Sequence, residues 1–103
     1  MGSPWKALAD DSRRHVLMLL KSRERTPSEI ATHFVFTLPA LSTHLKVLRD
    51  AGLVSERREG QNRYYSVNRE QMSEMMRFFD QFWDGRLKSL KEYVENRERK
   101  KRK

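Results

Sequence analysis

A chain of 103 residues, 37% hydrophobic and with a formal net charge of +8, has the length for one small domain with a modest core and the charge of a molecule that meets polyanions. The absence of cysteine excludes disulfides, thiolate metal ligands, a cysteine nucleophile and a thiol redox switch within this chain. No apolar run approaches the roughly 18 residues needed to cross a bilayer, and the opening residues are too polar for a secretory signal, so a cytoplasmic chain with no membrane partner is expected.

In chain order, a first short helix is expected from about Pro4 to Ala9, with proline near its start and Trp5 and Leu8 on one side. A second runs from Asp11 to Ser22, where Val16, Leu17, Leu19 and Leu20 form an apolar face and Asp10 or Asp11 can cap the start. The run Thr26-Pro27-Ser28-Glu29 is a capping box with proline at the first helical position, so a third helix should run from Pro27 to about Phe34. Val35 and Phe36 then bridge to Thr37, which caps a fourth helix that Gly52 ends.

That fourth helix is the most informative element. Leu41, Leu45 and Leu48 share one narrow stripe on a 3.6-residue wheel, and the opposite side collects Pro39, Thr43, Lys46 and Asp50, with Ser42 beside them. Outward side chains are thus small at the start, basic in the middle and acidic only at the end. This order suits a helix whose N-terminal end enters a DNA groove, with Asp50 held away from the phosphates. His44 falls at the edge of the apolar stripe and is read as a packed, hydrogen-bonded histidine.

Leu53–Arg58 and Arg63–Val67 read as strands joined through Glu59-Gly60-Gln61-Asn62, a hairpin that must pack beside the helices to be stable. Arg57, Arg58 and Arg63 cluster towards its tip, either as phosphate or minor-groove contacts or as a solvated run paired with Glu56 and Glu59. Tyr64 and Tyr65 should point to opposite faces, one into the core. Asn68 can cap a last helix with Gln71 at its third position. There Met72, Met76, Phe79, Trp83, Leu87, Leu90 and Val94 repeat at spacings of three and four, with Gly85 as the one weak point. Residues 1–96 are therefore expected to form one domain whose last helix spans about 69–96. Residues 97–103 should be a disordered tail; it holds six basic groups and one acid, so +5 of the chain's +8 lies in the tail and +3 in the rest. The apolar stripe of the last helix is broader than a domain this small can bury. A homodimer is expected, its interface drawn from Trp5, Leu8, Met72, Met76, Phe79, Trp83, Leu87 and Leu90.

Taken together, KALADDSRRHVLMLL, the capped third helix, LSTHLKVLRDAGLV and ERREGQNRYYSV resemble the ArsR-type winged helix-turn-helix transcriptional repressors of bacteria and archaea, over about Lys6 to Asn68. The resemblance implies a mostly α fold with a small β-hairpin wing, dimerisation through the first and last helices, and operator binding. It also implies DNA-reading positions at Leu38, Pro39, Ser42 and Thr43 and wing contacts at Arg57, Arg58 and Arg63. Lys46, a turn further on, is either a phosphate contact or a plainly solvated lysine. Leu38 departs from the polar residue often found there; it can touch a thymine methyl or pack at the helix start. Metal-sensing members use cysteines before the recognition helix or Asp and His clusters on the last helix. This chain has no cysteine, and His15, His33 and His44 all precede the wing, so no metal site, no cofactor and no particular effector are implied.

The function expected is a homodimeric, sequence-specific double-stranded DNA-binding regulator, a repressor acting on a promoter such as its own. The competing readings are a nonspecific architectural DNA binder working through the basic tail, and a protein-interaction module docking another chain on the last helix. No Ser-His-Asp arrangement, carboxylate pair or glycine-rich phosphate loop is visible among four glycines, so an enzyme is not expected.

Overall fold

The computed structural model describes residues 2–82 and 92–97. Helices α1 (Pro4–Leu8), α2 (Asp11–Leu20), α3 (Pro27–Ala31) and α4 (Leu38–Asp50) precede strands β1 (Val54–Glu59) and β2 (Asn62–Val67), and helix α5 (Arg69–Asp80) follows. The chain divides into two units, Met1–Met72 and Ser73–Lys103, and each is considered by itself.

In the first unit every helix start is set by a side chain that accepts from an orphan backbone N–H. Ser3 accepts from Lys6, Asp10 from Arg13 and Thr37 from Ala40. At α3 the box is reciprocal: the Glu29 N–H donates to Thr26 Oγ1 at 3.2 Å, and the Thr26 N–H donates to Glu29 Oε1 at 3.3 Å. The end of α4 is equally definite. Leu53 N–H donates to Leu48 O and Gly52 N–H to Arg49 O, both at 2.9 Å, with Gly52 at φ 79°. This pair of hydrogen bonds is the Schellman arrangement, and its left-handed residue is the position where a Cβ would be strained.

The core of this unit is formed by Val16, Leu17 and Leu20 of α2, Ile30 of α3, Leu41, Leu45 and Leu48 of α4, and Leu53, Val54 and Tyr65 of the wing. Each large aliphatic side chain so buried contributes about 1.5–3 kcal/mol. The strands pair antiparallel, with Arg58 opposite Arg63 and Glu56 opposite Tyr65. Arg25 adds a single bridge to β2 at Tyr65, with N–H···O bonds of 3.0 and 2.8 Å, so the loop after α2 holds the wing against the helices.

Two boundaries differ from expectation. Helix α3 stops at Ala31 instead of continuing to Phe34: the Thr32 hydroxyl donates back to Glu29 O at 2.7 Å, and His33 and Phe34 make i→i−3 bonds that tighten the chain out of the helix. Phe34 then stacks on Phe36 with centroids 4.8 Å apart. The hairpin turn is also shorter, since Glu59 and Asn62 are paired and only Gly60, at φ 62°, and Gln61 lie between.

In the second unit α5 continues from Ser73 to Asp80, with Gln81 and Phe82 in a turn. Of the helix expected over about 69–96, the part to Asp80 is observed, and residues 83–91 lie outside the described residues. Phe78 makes edge contacts with Phe79 and Phe82 at 5.6 and 5.2 Å. Residues 92–97 are helical. No helix among the described residues is long and apolar enough to cross a membrane.

Candidate nucleic-acid interface

Helix α4 turns its leucine stripe inward, and the opposite face is open. Leu41, Leu45 and Leu48 are at most 2% exposed, whereas Leu38 is 60% exposed and Pro39, Ser42, Thr43 and Lys46 are all exposed. The five candidates on this helix thus share one solvent face at its first turns. The exposure of Leu38 removes the reading in which it packs at the helix start. Thr43 donates its hydroxyl to Pro39 O at 3.1 Å, so its side chain is oriented along the helix in the free chain.

His44 is half-buried. Its Nδ1 lies 3.5 Å from an Arg13 guanidinium nitrogen, and its ring meets Phe36 edge-on at 5.5 Å, which is the packed role the sequence suggested. Arg13 and Arg14 are both engaged with the preceding helix. Arg13 donates to Ala7 O at 2.8 Å and Arg14 to Leu8 O at 2.6 Å, so both arginines close the C-terminal carbonyls of α1.

The wing arginines are exposed, and each is also engaged. The strand alternation separates them onto two faces. On one face Arg57 donates to Glu24 through two nitrogens, at 2.6 and 3.2 Å, and to Glu59 at 2.9 Å, while its guanidinium lies 4.6 Å above the Tyr64 ring. Its pKa is raised, first by Glu24 and then by Glu59, and Glu24 is correspondingly held below the usual carboxylate range by Arg57. One cation and two carboxylates leave this face at −1.

On the other face Tyr65 and Val54 enter the core, and Glu56, Arg58 and Arg63 extend beyond them. Glu56 accepts from Arg49 of α4 at 2.9 Å and from Arg58 at 3.4 Å, with Arg63 at 3.6 Å. Its carboxyl is lowered, first by the Arg49 hydrogen bond and then by Arg58 and Arg63. A depressed carboxylate supports these pairs above its ordinary pKa and releases them only as pH falls through the lowered value, so the cluster is intact at neutral pH. With Asp50 3.9 Å from Arg49, three guanidiniums and two carboxylates leave this face at +1. Glu56 and Glu59 were legible as partners from the local charge run. Glu24 and Arg49 were not, because nothing in the sequence places residue 24 beside residue 57 or the end of α4 beside β1.

Of the apolar candidates, Trp5, Met76 and Phe79 are exposed and Leu8 and Met72 are half-buried. Trp83, Leu87 and Leu90 lie outside the described residues. No three His, Asp or Glu side chains among the described residues are grouped to hold a metal ion.

A capped helix with a small polar outward face, preceded by a second short helix and followed by an arginine-bearing hairpin, is a winged helix-turn-helix. The sequence pattern described as "Bacterial regulatory protein, arsR family" matches residues 10–56. The transcriptional repressor SdpR of Bacillus subtilis (strain 168) is 43% identical over 68 residues, which is 66% of this chain and 76% of that protein. A crystal structure of a possible transcriptional regulator for arsenical resistance has a TM-score of 0.72 at 36% identity, covering 87% of this chain and 94% of the other. The solution structure of a homodimeric winged helix-turn-helix DNA-binding domain from Mycobacterium bovis, a possible ArsR-family regulator, has a TM-score of 0.62 at 35% identity and covers 78% of this chain and 74% of the other. The chain belongs to the arsR family of bacterial regulatory proteins.

Proposed function

We propose that this chain is a homodimeric repressor that binds an operator in double-stranded DNA, with α4 in the major groove and the wing along the phosphates. The observation that carries the reading is the outward face at the start of α4: Pro39, Ser42 and Thr43 are small and exposed, Leu38 is exposed beside them, and Lys46 stands one turn behind. Base choice is assigned to that helix start. Affinity is assigned to Arg57, Arg58 and Arg63, with Arg57 exchanging its carboxylate partners for phosphate on binding. Repression follows from occupying a promoter, and the repressor SdpR as a relative supports that sign of regulation. The dimer is assigned to Trp5 and Leu8 of α1 and to Met72, Met76 and Phe79 of α5, with Trp83, Leu87 and Leu90 continuing the same spacing; the homodimeric Mycobacterium bovis domain supports it.

Duplexes selected from a random pool, then titrated with protein across a salt series, test the DNA reading. Arg58→Ala should weaken binding to every sequence. It should also flatten the slope of log affinity against log salt by about 1.8 per bound dimer, about 0.9 for each of the two arginines that neutralises one phosphate. Thr43→Ala should instead relax the preference between selected and unselected duplexes and leave the slope unchanged. If neither variant behaves so, the assignment of these residues to DNA is wrong. Assembly is read separately. Sedimentation at micromolar concentration should give a dimer, and Met76→Glu should shift it towards monomer; a monomeric wild-type chain removes the dimer assignment.

A further inference from the structure

A negative charge on a surface that meets DNA ordinarily weakens binding, and its removal ordinarily tightens it. Glu56 stands where that sign should reverse. Arg58 and Arg63 are directly opposite one another across the hairpin, and like charges so placed repel. The carboxylate between them lies 3.4 Å from one guanidinium nitrogen and 3.6 Å from the other. Its second oxygen accepts from Arg49 at 2.9 Å, and its side chain is only 14% exposed. Three elements, α4, β1 and β2, therefore send one arginine each to a single, largely covered carboxylate. Each guanidinium carries five N–H donors, and Arg58 and Arg63 remain 66% and 50% exposed, so donors are left on the open side of the cluster.

We propose that Glu56 is a positioning residue for phosphate binding: it holds Arg58 and Arg63 side by side as one grip and, through Arg49, ties that grip to the last turn of α4. The ligand class is the phosphodiester of duplex DNA, and the proposal rests on the DNA-binding reading above. With Glu56 in place, wing and recognition helix reach the backbone already in register, and two long side chains need not be ordered on binding. Without it the two arginines separate, and the net charge gained is spread over side chains that no longer point one way.

The test uses the full chain and a mixed-sequence DNA duplex, since a phosphate grip does not depend on base sequence. Glu56→Gln is expected to bind roughly tenfold more weakly than wild type at moderate salt, although it removes a negative charge. In an Arg58→Ala/Arg63→Ala background the same change should cause no further loss. Glu56→Asp keeps the charge but withdraws the oxygens by one methylene, and it should fall between wild type and Glu56→Gln; a pure field effect leaves it at wild type. Melting midpoints are recorded for all variants, and if Glu56→Gln does not fold, Glu56→Asp decides alone. Wild-type affinity in Glu56→Asp, tighter binding by Glu56→Gln, or an equal loss in the double-alanine background overturns the positioning role and leaves the DNA reading standing. A wild-type chain that ignores the duplex at low salt overturns both.

Discussion

Leu48→Ala is expected to lower the melting midpoint by roughly 10–30 °C. Leu48 is 0% exposed on α4, which packs against α1, α2, α3 and β1, so the cavity left behind opens onto several elements and cannot be closed by the movement of one. Truncations of this kind cost about 2–5 kcal/mol, and each kcal/mol moves the midpoint of a 60–100-residue domain by about 4–8 °C. The loss is large against a total stability of about 5–15 kcal/mol. Leu48 also lends its carbonyl to the Leu53 N–H at the end of α4, but alanine retains that carbonyl, so the effect reads packing and not the cap. Thermal melts by circular dichroism, at fixed protein concentration because a dimer's midpoint depends on it, give the value. Lys46→Ala, an exposed change two residues away, should stay within about 0.5 kcal/mol of wild type. A shift of under about 5 °C for Leu48→Ala, close to what 1 kcal/mol produces, means that the stripe of α4 is not the centre of the core.

What could be read in advance follows from the range of the interactions involved. Capping is local: Thr26 and Glu29 are three residues apart, and Thr37 reaches only to Ala40, so the starts of α3 and α4 were visible as sequence patterns. The inward stripe of Leu41, Leu45 and Leu48 was visible for the same reason, as a spacing. The early end of α3 was not, because it depends on a Thr32 hydroxyl bond and on Phe34 stacking with Phe36, a choice between near-equal local conformations that tertiary packing settles. The wing shows the same division. Alternation along β1 already places Glu56 and Arg58 on one face and Arg57 on the other. The partners that give those faces opposite net charge, Glu24 for Arg57 and Arg49 for Glu56, come from elements distant in sequence, and no local pattern names them.

Thr43→Glu should abolish useful DNA binding while leaving the fold intact. Thr43 is exposed on the outer face of α4, glutamate is a better helix former than threonine, and nothing in the core depends on its hydroxyl, whose bond is to Pro39 O one turn back. The melting midpoint should therefore stay close to wild type. In the docking proposed above, the same position would face the groove floor and the flanking phosphates, where a carboxylate meets like charge in a partly dehydrated space, at a cost of several kcal/mol. About 3 kcal/mol is already a loss of roughly a hundredfold or more. The loss should appear on selected and mixed-sequence duplexes alike, because a charge on the seating face blocks both. That pattern separates it from Thr43→Ala, which should blunt only the preference between sequences. Anisotropy titrations on the two duplexes measure all of this in one series. If Thr43→Glu binds as tightly as wild type, the start of α4 does not enter the groove, and the wing face of Arg58 and Arg63 must carry the DNA by itself.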